Sequence, residues 1–337
     1  TDVLLAIGKG YIGSGDHVRA VALTQRALAW RQRVLGPSAT EVVKARAMLA
    51  EVLLGAGAAA AAIPQLDTLL VALGERHGPR SMLVATYRQS RARALNALGR
   101  RAEARRELRE VITMLEDSSG RQWNTYAHAW QTLGHVARAQ RDFAGAASAY
   151  RTALDARRRA NGSAVEIANN EGDLGVALLD LGEVSAAESL LTRSFETKRR
   201  ILGIDHPETG DDALSLARVA LRQSRGAAAL EWVRLADVAY GGATMRWDRQ
   251  IQILLGDGAA RLAIGDADGT VRAMVRLRGQ IDSVGPSAPM VEALAMLTRA
   301  EELRGRPQDA ARWRAECQQM RMEVMATTES VPVACPP

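Results

Sequence analysis

Apolar residues recur at helical spacing along the chain, and each run is followed by a polar turn and a second run. The first run of apolar and small residues precedes the Gly15-Asp16 turn, and the second follows it. Each run places its residues on one helix face, at the spacing i, i+3, i+4 and i+7 or at a similar helical spacing. The residues are Leu4, Ile7, Gly8 and Tyr11, then Ala20, Leu23, Ala27 and Trp30; later in the chain they are Trp130, Leu133, Gly134 and Ala137, then Ala146, Tyr150 and Ala153. This pattern predicts pairs of helices joined by tight turns.

The pair recurs eight times with a period of 40 to 42 residues, marked by one turn residue in each copy. The markers are Gly15, Gly57, Gly99, Arg141, Gly182, Ser224, Gly265 and Gly305. Five residues after most markers an alanine recurs, and about seven before them another small residue. A fixed period with small residues at fixed offsets is typical of a helical solenoid. We therefore predict an all-α fold in which residues 1–325 form about sixteen helices in one domain, and residues 326–337 form a flexible tail.

Two local features of this pattern carry specific expectations. Pro64 lies close after the turn at Gly57, so we expect its helix to start late, near Ala61, with the proline in the first turn. Cys317 falls at a helical packing position and Cys335 in the tail, so we expect a buried thiol and neither a disulfide framework nor a zinc site.

The amino-acid composition argues against a strand-rich fold and excludes few other classes of protein. Hydrophobic residues make up 47% of the chain and aromatic residues only 4%, which suits helices packed closely through alanine. The net charge of +6 comes from 44 basic residues that include three lysines, Lys9, Lys44 and Lys198. Arginine runs such as Arg157 to Arg159 close predicted helices, where cations complement the helix dipole. We therefore do not expect nucleic acid to be a partner.

Three motifs suggest chemistry that the surrounding pattern does not support. Gly8, Gly10 and Gly13 match a dinucleotide fingerprint but lack the preceding strand. Asp142-Phe143-Ala144 resembles a kinase triplet but lies at a repeat turn, where the aspartate should start a helix. His128 and His135 share a helix face without a third ligand, so a metal site is not expected. No nucleophile is matched with a base by spacing, and we expect no catalysis, cofactor or metal in these residues.

The spacing of Leu4, Ile7, Gly8, Tyr11, Ala20 and Ala27 resembles the signature of tetratricopeptide repeats. The 42-residue period and the joint Leu202-Gly203-Ile204-Asp205-His206-Pro207 resemble the longer, kinesin-light-chain type of that repeat. This resemblance implies a right-handed superhelical solenoid whose concave face, lined by the first helix of each pair, binds peptides.

The family's groove positions carry polar residues in two adjacent repeats at identical offsets. Repeats 3 and 4 have Gln89, Arg93 and Asn96, then Gln131, His135 and Arg138, with a charged residue at one of these offsets in repeats 1 and 6. The resemblance implies a groove formed by Lys9, Gln89, Arg93, Asn96, His128, Gln131, His135, Arg138 and Arg218. An ordinary solvated helix face is the alternative interpretation of the same residues.

The leading functional prediction is a scaffold that binds a partner protein or peptide in this groove. The alternative is a regulatory or sensory region of a bacterial serine/threonine protein kinase, because residues from Leu4 to Gly36 resemble the first repeat that follows such kinase domains. The start at Thr1-Asp2 without a methionine fits a piece of a longer protein, with any kinase activity upstream. No residues form a membrane span. Such a chain would be cytoplasmic on its own, or periplasmic if fused behind a span.

Overall fold

The structure is a computed structural model of the chain, and it describes residues 4, 6, 7, 11, 17–116, 122–241, 247–281, 285–327 and 334–336. Within these ranges all regular secondary structure is helical and no strand occurs, which confirms the all-α prediction. Residues 4, 6, 7 and 11 are helical, and Lys9 and the Gly8–Gly13 motif lie outside the described residues. No described helix combines the length and apolarity needed to cross a membrane.

Fifteen helices follow one another along the described chain, and short turns separate most of them. They are α1 (His17–Leu35), α2 (Thr40–Gly55), α3 (Ala59–His77), α4 (Met82–Ala97), α5 (Arg101–Glu116), α6 (Trp123–Ala139), α7 (Phe143–Arg159), α8 (Ala164–Leu181), α9 (Val184–Leu202), α10 (Pro207–Arg222), α11 (Gly226–Tyr240), α12 (Trp247–Ala263), α13 (Ala267–Ile281), α14 (Ala288–Leu303) and α15 (Pro307–Thr327). Even-numbered helices are the first helices of the repeats, and odd-numbered helices are the second.

The turn between the two helices of a pair requires a left-handed residue, and the repeat markers supply it. All seven described markers have positive φ, including 73° at Gly57 and 76° at Gly99. The two markers that are not glycine adopt the same conformation, with φ of 61° at Arg141 and 59° at Ser224. The turn therefore imposes this backbone even where an L side chain makes it costly.

Small residues pack the helices of each pair together, as the sequence pattern predicts. The alanines five residues after the markers are fully buried, as at Ala104 and Ala146. At Gly134 of α6 the aromatic ring of Tyr150 on α7 lies against the backbone, and a Cβ there would come within 2.5 Å of that ring. Glycine at this position is thus fixed by the close approach of α7.

The chain divides into two compact units, Thr1–Ala177 and Leu178–Pro337. In the first unit one apolar cluster around Leu66 joins α1 to α4, and another around Leu108 joins α4 to α7. In the second unit a cluster around Met274 joins α12 to α15, and a smaller one surrounds Ala229. This division does not test the single solenoid of residues 1–325 with a flexible tail, which stays a prediction.

The late helix start expected around Pro64 is wrong. Helix α3 begins at Ala59, so Pro64 lies inside it, although the helix is not broken. The proline removes the one backbone hydrogen bond that would reach the carbonyl of Ala60. Both residues are exposed, so water can satisfy that carbonyl and the loss is tolerated.

The free thiol expected at Cys317 is also wrong. Cys317 is fully buried as expected, but it forms a disulfide with Cys335 across 18 residues. Cys335 is half-buried against the apolar cluster of α12 to α15, and Pro336 beside it is buried. The tail residues 334–336 therefore pack on the last helix pair of the second unit.

Candidate functional site

Equivalent positions on three successive first helices form a row of ionisable side chains in the first unit. Glu51 of α2, Arg93 of α4 and His135 of α6 each follow the small packing residue of their helix by one position. Their side chains are 45%, 53% and 47% exposed. Asp173 of α8 continues the line beyond His135 with a less exposed carboxylate, at 26%. We call Glu51, Arg93, His135 and Asp173 the first-helix row.

At one end of the first-helix row, Glu51 is held by a neutral donor and approached by a cation. The Ser90 hydroxyl donates to Glu51 Oε1 over 2.6 Å. Arg93 Nη1 lies 3.8 Å from Glu51 Oε2, beyond hydrogen-bond distance. The carboxylate is therefore fixed, whereas the guanidinium keeps its donors available.

The other end of the first-helix row has the same arrangement. The Gln131 amide donates to Asp173 Oδ2 over 2.7 Å, and His135 Nε2 lies 3.8 Å from that oxygen. The opposite ring nitrogen of His135, Nδ1, is 2.8 Å from the Tyr150 hydroxyl. When that hydroxyl donates to Nδ1, the neutral ring carries its proton on Nε2, on the side of Asp173. Tyr150 is almost fully buried, so it fixes the orientation of the imidazole.

Other residues predicted for the groove are used within the fold. Gln89 is only 7% exposed, and its amide donates to the Thr125 carbonyl over 3.1 Å, which ties α4 to α6. Arg138 also has a partner inside the protein. Asn96 is half-buried, and its Oδ1 has no hydrogen-bond partner in the described part of the chain. In the second unit, Arg218 pairs with Asp180 over 2.7 Å.

His128 lies beside a buried arginine rather than in a metal site. Arg157 is 2% exposed, and its Nη2 is 3.2 Å from His128 Nε2. Burial and the guanidinium of Arg157 lower the pKa of His128, which keeps the ring neutral. The remaining Arg157 donors reach Asn124 at 3.0 Å, Glu166 at 3.2 Å and Asn170 at 3.3 Å. Arg157 does lie in the last turn of its helix, as expected, and its burial makes it an internal anchor between α6, α7 and α8.

A buried cation occupies the same register in two other repeats, a feature that the sequence reasoning missed. Arg31, Arg157 and Lys198 each precede the joint glycine by five residues, and each is at most 5% exposed. In the second unit Lys198 contacts Asp212 at 3.0 Å, and the Ser194 hydroxyl donates to the same carboxylate. Burial raises the pKa of Asp212 to about 6 despite the neighbouring ammonium. These groups are inaccessible and hold the joints between repeats.

The Asp142-Phe143-Ala144 triplet has a structural role, as expected from its place at a turn. The Asp142 carboxylate caps α7 by accepting from the backbone N–H of Gly145 over 2.9 Å. Among the described residues no group of three or more histidine, cysteine and acidic side chains is placed to hold a metal ion.

Comparison with known proteins supports the repeat and the fold. The tetratricopeptide repeat family model matches residues 172–208. The APC/C hetero-tetramer Cut9-Hcn1 is similar in structure, with a TM-score of 0.66 and 17% identity over 95% of this chain and 53% of that chain. This chain thus spans about half the length of that structure. A Rap protein complexed with Competence and Sporulation Factor has a TM-score of 0.59 and 12% identity, over 97% and 99% of the two chains.

Putative kinesin light chain repeats from Podosopora anserina match with a TM-score of 0.49 and 15% identity, over 60% of this chain and 95% of that chain. No curated protein matches the chain. The chain thus has an all-helical fold of tetratricopeptide-like helix pairs, and the repeat itself is matched at residues 172–208.

Proposed function

We propose that the first unit binds an extended segment of a partner protein across the first-helix row. The observation that carries this proposal is the pairing of fixed carboxylates with the loosely held donors Arg93 and His135 on adjacent first helices. Solenoid repeats present equivalent positions at regular intervals, which suits a ligand with a regular backbone. The Rap protein among the structural neighbours is complexed with Competence and Sporulation Factor, and this supports binding of a partner by such a fold.

The contacts in the first-helix row can be exchanged at low cost. An exposed ion pair at 3.8 Å contributes little to stability, so Arg93 loses little when it turns from Glu51 to a ligand. A ligand carboxylate can accept two parallel hydrogen bonds from a guanidinium, which is stronger than the contact it replaces. The carboxylates of Glu51 and Asp173 stay in place, because Ser90 and Gln131 hold them.

The first-helix row therefore offers both donors and acceptors to a peptide. Glu51 and Asp173 can accept from backbone N–H groups or a basic side chain, whereas Arg93 and His135 can donate to carbonyl or carboxylate groups. A peptide with alternating donors and acceptors along an extended backbone fits this arrangement.

Peptides selected from a random phage-displayed library on the whole protein test the proposal. We expect Arg93→Ala to weaken the best selected peptide about tenfold or more, because a charge-assisted hydrogen bond contributes ~1.5–3 kcal/mol. His135→Ala should also weaken binding. Helix content should stay unchanged, since arginine and alanine are both good helix formers.

The matched control is the double variant Arg26→Ala with Arg151→Ala, two exposed arginines on second helices of the same unit. We expect this control to leave the affinity within about twofold, because neither arginine belongs to the first-helix row and salt screens exposed charges. Equal losses in both sets of variants would show that net charge alone attracts the peptides. An unchanged affinity in Arg93→Ala and His135→Ala would remove the first-helix row as the site.

A second proposal gives the array a regulatory or sensory role in a bacterial serine/threonine protein kinase. It rests on the resemblance of residues from Leu4 to Gly36 to the first repeat behind such kinase domains. The sequence encoded immediately upstream of Thr1 tests it. A kinase domain there would support this role, and an unrelated or absent domain would leave only the scaffold function.

A further inference from the structure

The second helix of repeat 3, α5, borders an open cleft of about 740 Å³ on the surface of the first unit. Its lining follows α5 from Ala102 to Met114, a distance of ~18 Å at 1.5 Å per residue. Arg80, before α4, and Gln140, after α6, complete its two ends. This cleft involves a second helix and none of the residues of the first-helix row, so it is a separate surface.

Three of the four acidic residues along α5 already have arginine partners. Each of three glutamates contacts an arginine outside the cleft lining: Glu103 contacts Arg100 at 2.7 Å, Glu107 contacts Arg91 at 2.9 Å and Glu110 contacts Arg88 at 2.9 Å. Only Glu110 also lines the cleft, and its charge is balanced by Arg88. The helix therefore directs its acidic groups to internal partners.

The cleft side of α5 carries arginines instead. Arg105 is held in place, with Nη2 3.0 Å from Asp142 and Nη1 3.2 Å from Gln140. Arg106 and Arg109 are exposed and have no carboxylate partner within the described ranges. The result is a surface with more arginines than carboxylates over a floor that includes the apolar side chains of Ala102 and Met114.

We infer that this cleft binds an acidic peptide segment of a partner protein. Arg106 and Arg109 are three residues apart, so they lie on the same side of α5 and can meet two carboxylates of one segment. The apolar floor favours a peptide over a nucleic acid, because it can contact side-chain methylenes. Duplex DNA carries a charge every ~1.7 Å and is held by longer basic surfaces than one ~18 Å cleft with two unpaired arginines.

A fluorescein-labelled oligoglutamate peptide tests the inference on the full chain by anisotropy. We expect saturable binding that Arg106→Ala with Arg109→Ala weakens about tenfold or more, since each loses a charge-assisted contact. The matched control is Arg26→Ala with Arg151→Ala, which removes the same charge from other second helices and should change the affinity by less than about twofold. Circular dichroism should show equal helix content in all variants.

Three outcomes would overturn the inference. The first is the absence of saturable binding by the unaltered protein. The second is an equal loss in both double variants, which would assign the binding to net charge. The third is tighter binding of a single-stranded oligonucleotide of the same charge at the same salt concentration, which would assign the cleft to phosphate. The loss tested here depends on Arg106 and Arg109, whereas the loss at the first-helix row depends on Arg93 and His135, so failure here and failure of the first-helix row are distinguishable.

Discussion

Replacement of Arg157 by alanine tests whether a buried cation fixes the joint between repeats 4 and 5. The side chain is 2% exposed on α7 and reaches Asn124 at 3.0 Å, Glu166 at 3.2 Å and Asn170 at 3.3 Å. The variant removes the shared donor of all three groups and also the packed aliphatic stem of the arginine. The joint between α7 and α8 should therefore lose most of its polar connection.

The loss in the free energy of unfolding caused by Arg157→Ala depends on which of the former partners become hydrated. Asn170 is 1% exposed, so its Oδ1 would be left without a donor, at ~1–3 kcal/mol. Removal of one member of a buried charged network costs ~3–5 kcal/mol in general. Glu166 is 43% exposed and can be solvated again, so we expect a value near the lower limit, ~3 kcal/mol.

Hydrogen exchange is the suitable assay, because long repeat arrays depart from two-state unfolding. We expect Arg157→Ala to lower the protection of α7 and α8 far more than that of α2 and α3, since a repeat contacts only its neighbours. The control is Arg151→Ala, an exposed position on the same helix, with an expected effect below ~0.5 kcal/mol. Equal protection in the two variants would refute the role of Arg157 as an anchor.

Three further predictions concern the turns, the helix packing and the pH dependence. Arg141→Gly should raise the midpoint of thermal unfolding, since a left-handed L residue costs ~1–2 kcal/mol; a lower midpoint would contradict this. Gly134→Ala should lower the free energy of unfolding by ~1–3 kcal/mol. Adding Tyr150→Leu should restore this stability in a double-mutant cycle. Because burial raises the pKa of Asp212 from 3.8 to about 6, the hydrogen-exchange protection of α9 and α10 should fall as the pH rises from 3.8 to about 6, and Asp212→Asn should abolish this slope.

The sequence predicts those parts of the fold that depend on neighbouring residues in the chain. The period located the turns even at Arg141 and Ser224, where the side chain gives no hint of a left-handed backbone. It also identified Gly134 as a packing position, because the close approach of two consecutive helices repeats in every pair. Local helical geometry determines both features.

Contacts between residues far apart in the sequence were not predictable in the same way. Gln89 has the spacing of an exposed groove residue, yet it donates to the Thr125 carbonyl in the first turn of α6. Cys317 and Cys335 meet because residues 334–336 pack on the last helix pair, which no periodic pattern encodes. The burial of Arg157 did leave a signal, since Arg31 and Lys198 share its register five residues before a joint glycine.

The central claim, that the first helices of the first unit bind a partner segment, is tested most directly by mapping a bound peptide. Hydrogen exchange of the full chain is measured with and without a peptide selected on the unaltered protein. The account predicts added protection in α4, α6 and the part of α8 around Asp173, lost in the Arg93→Ala variant at the same peptide concentration. Protection confined to the second helices α5 and α7, or spread evenly over the chain, would contradict it.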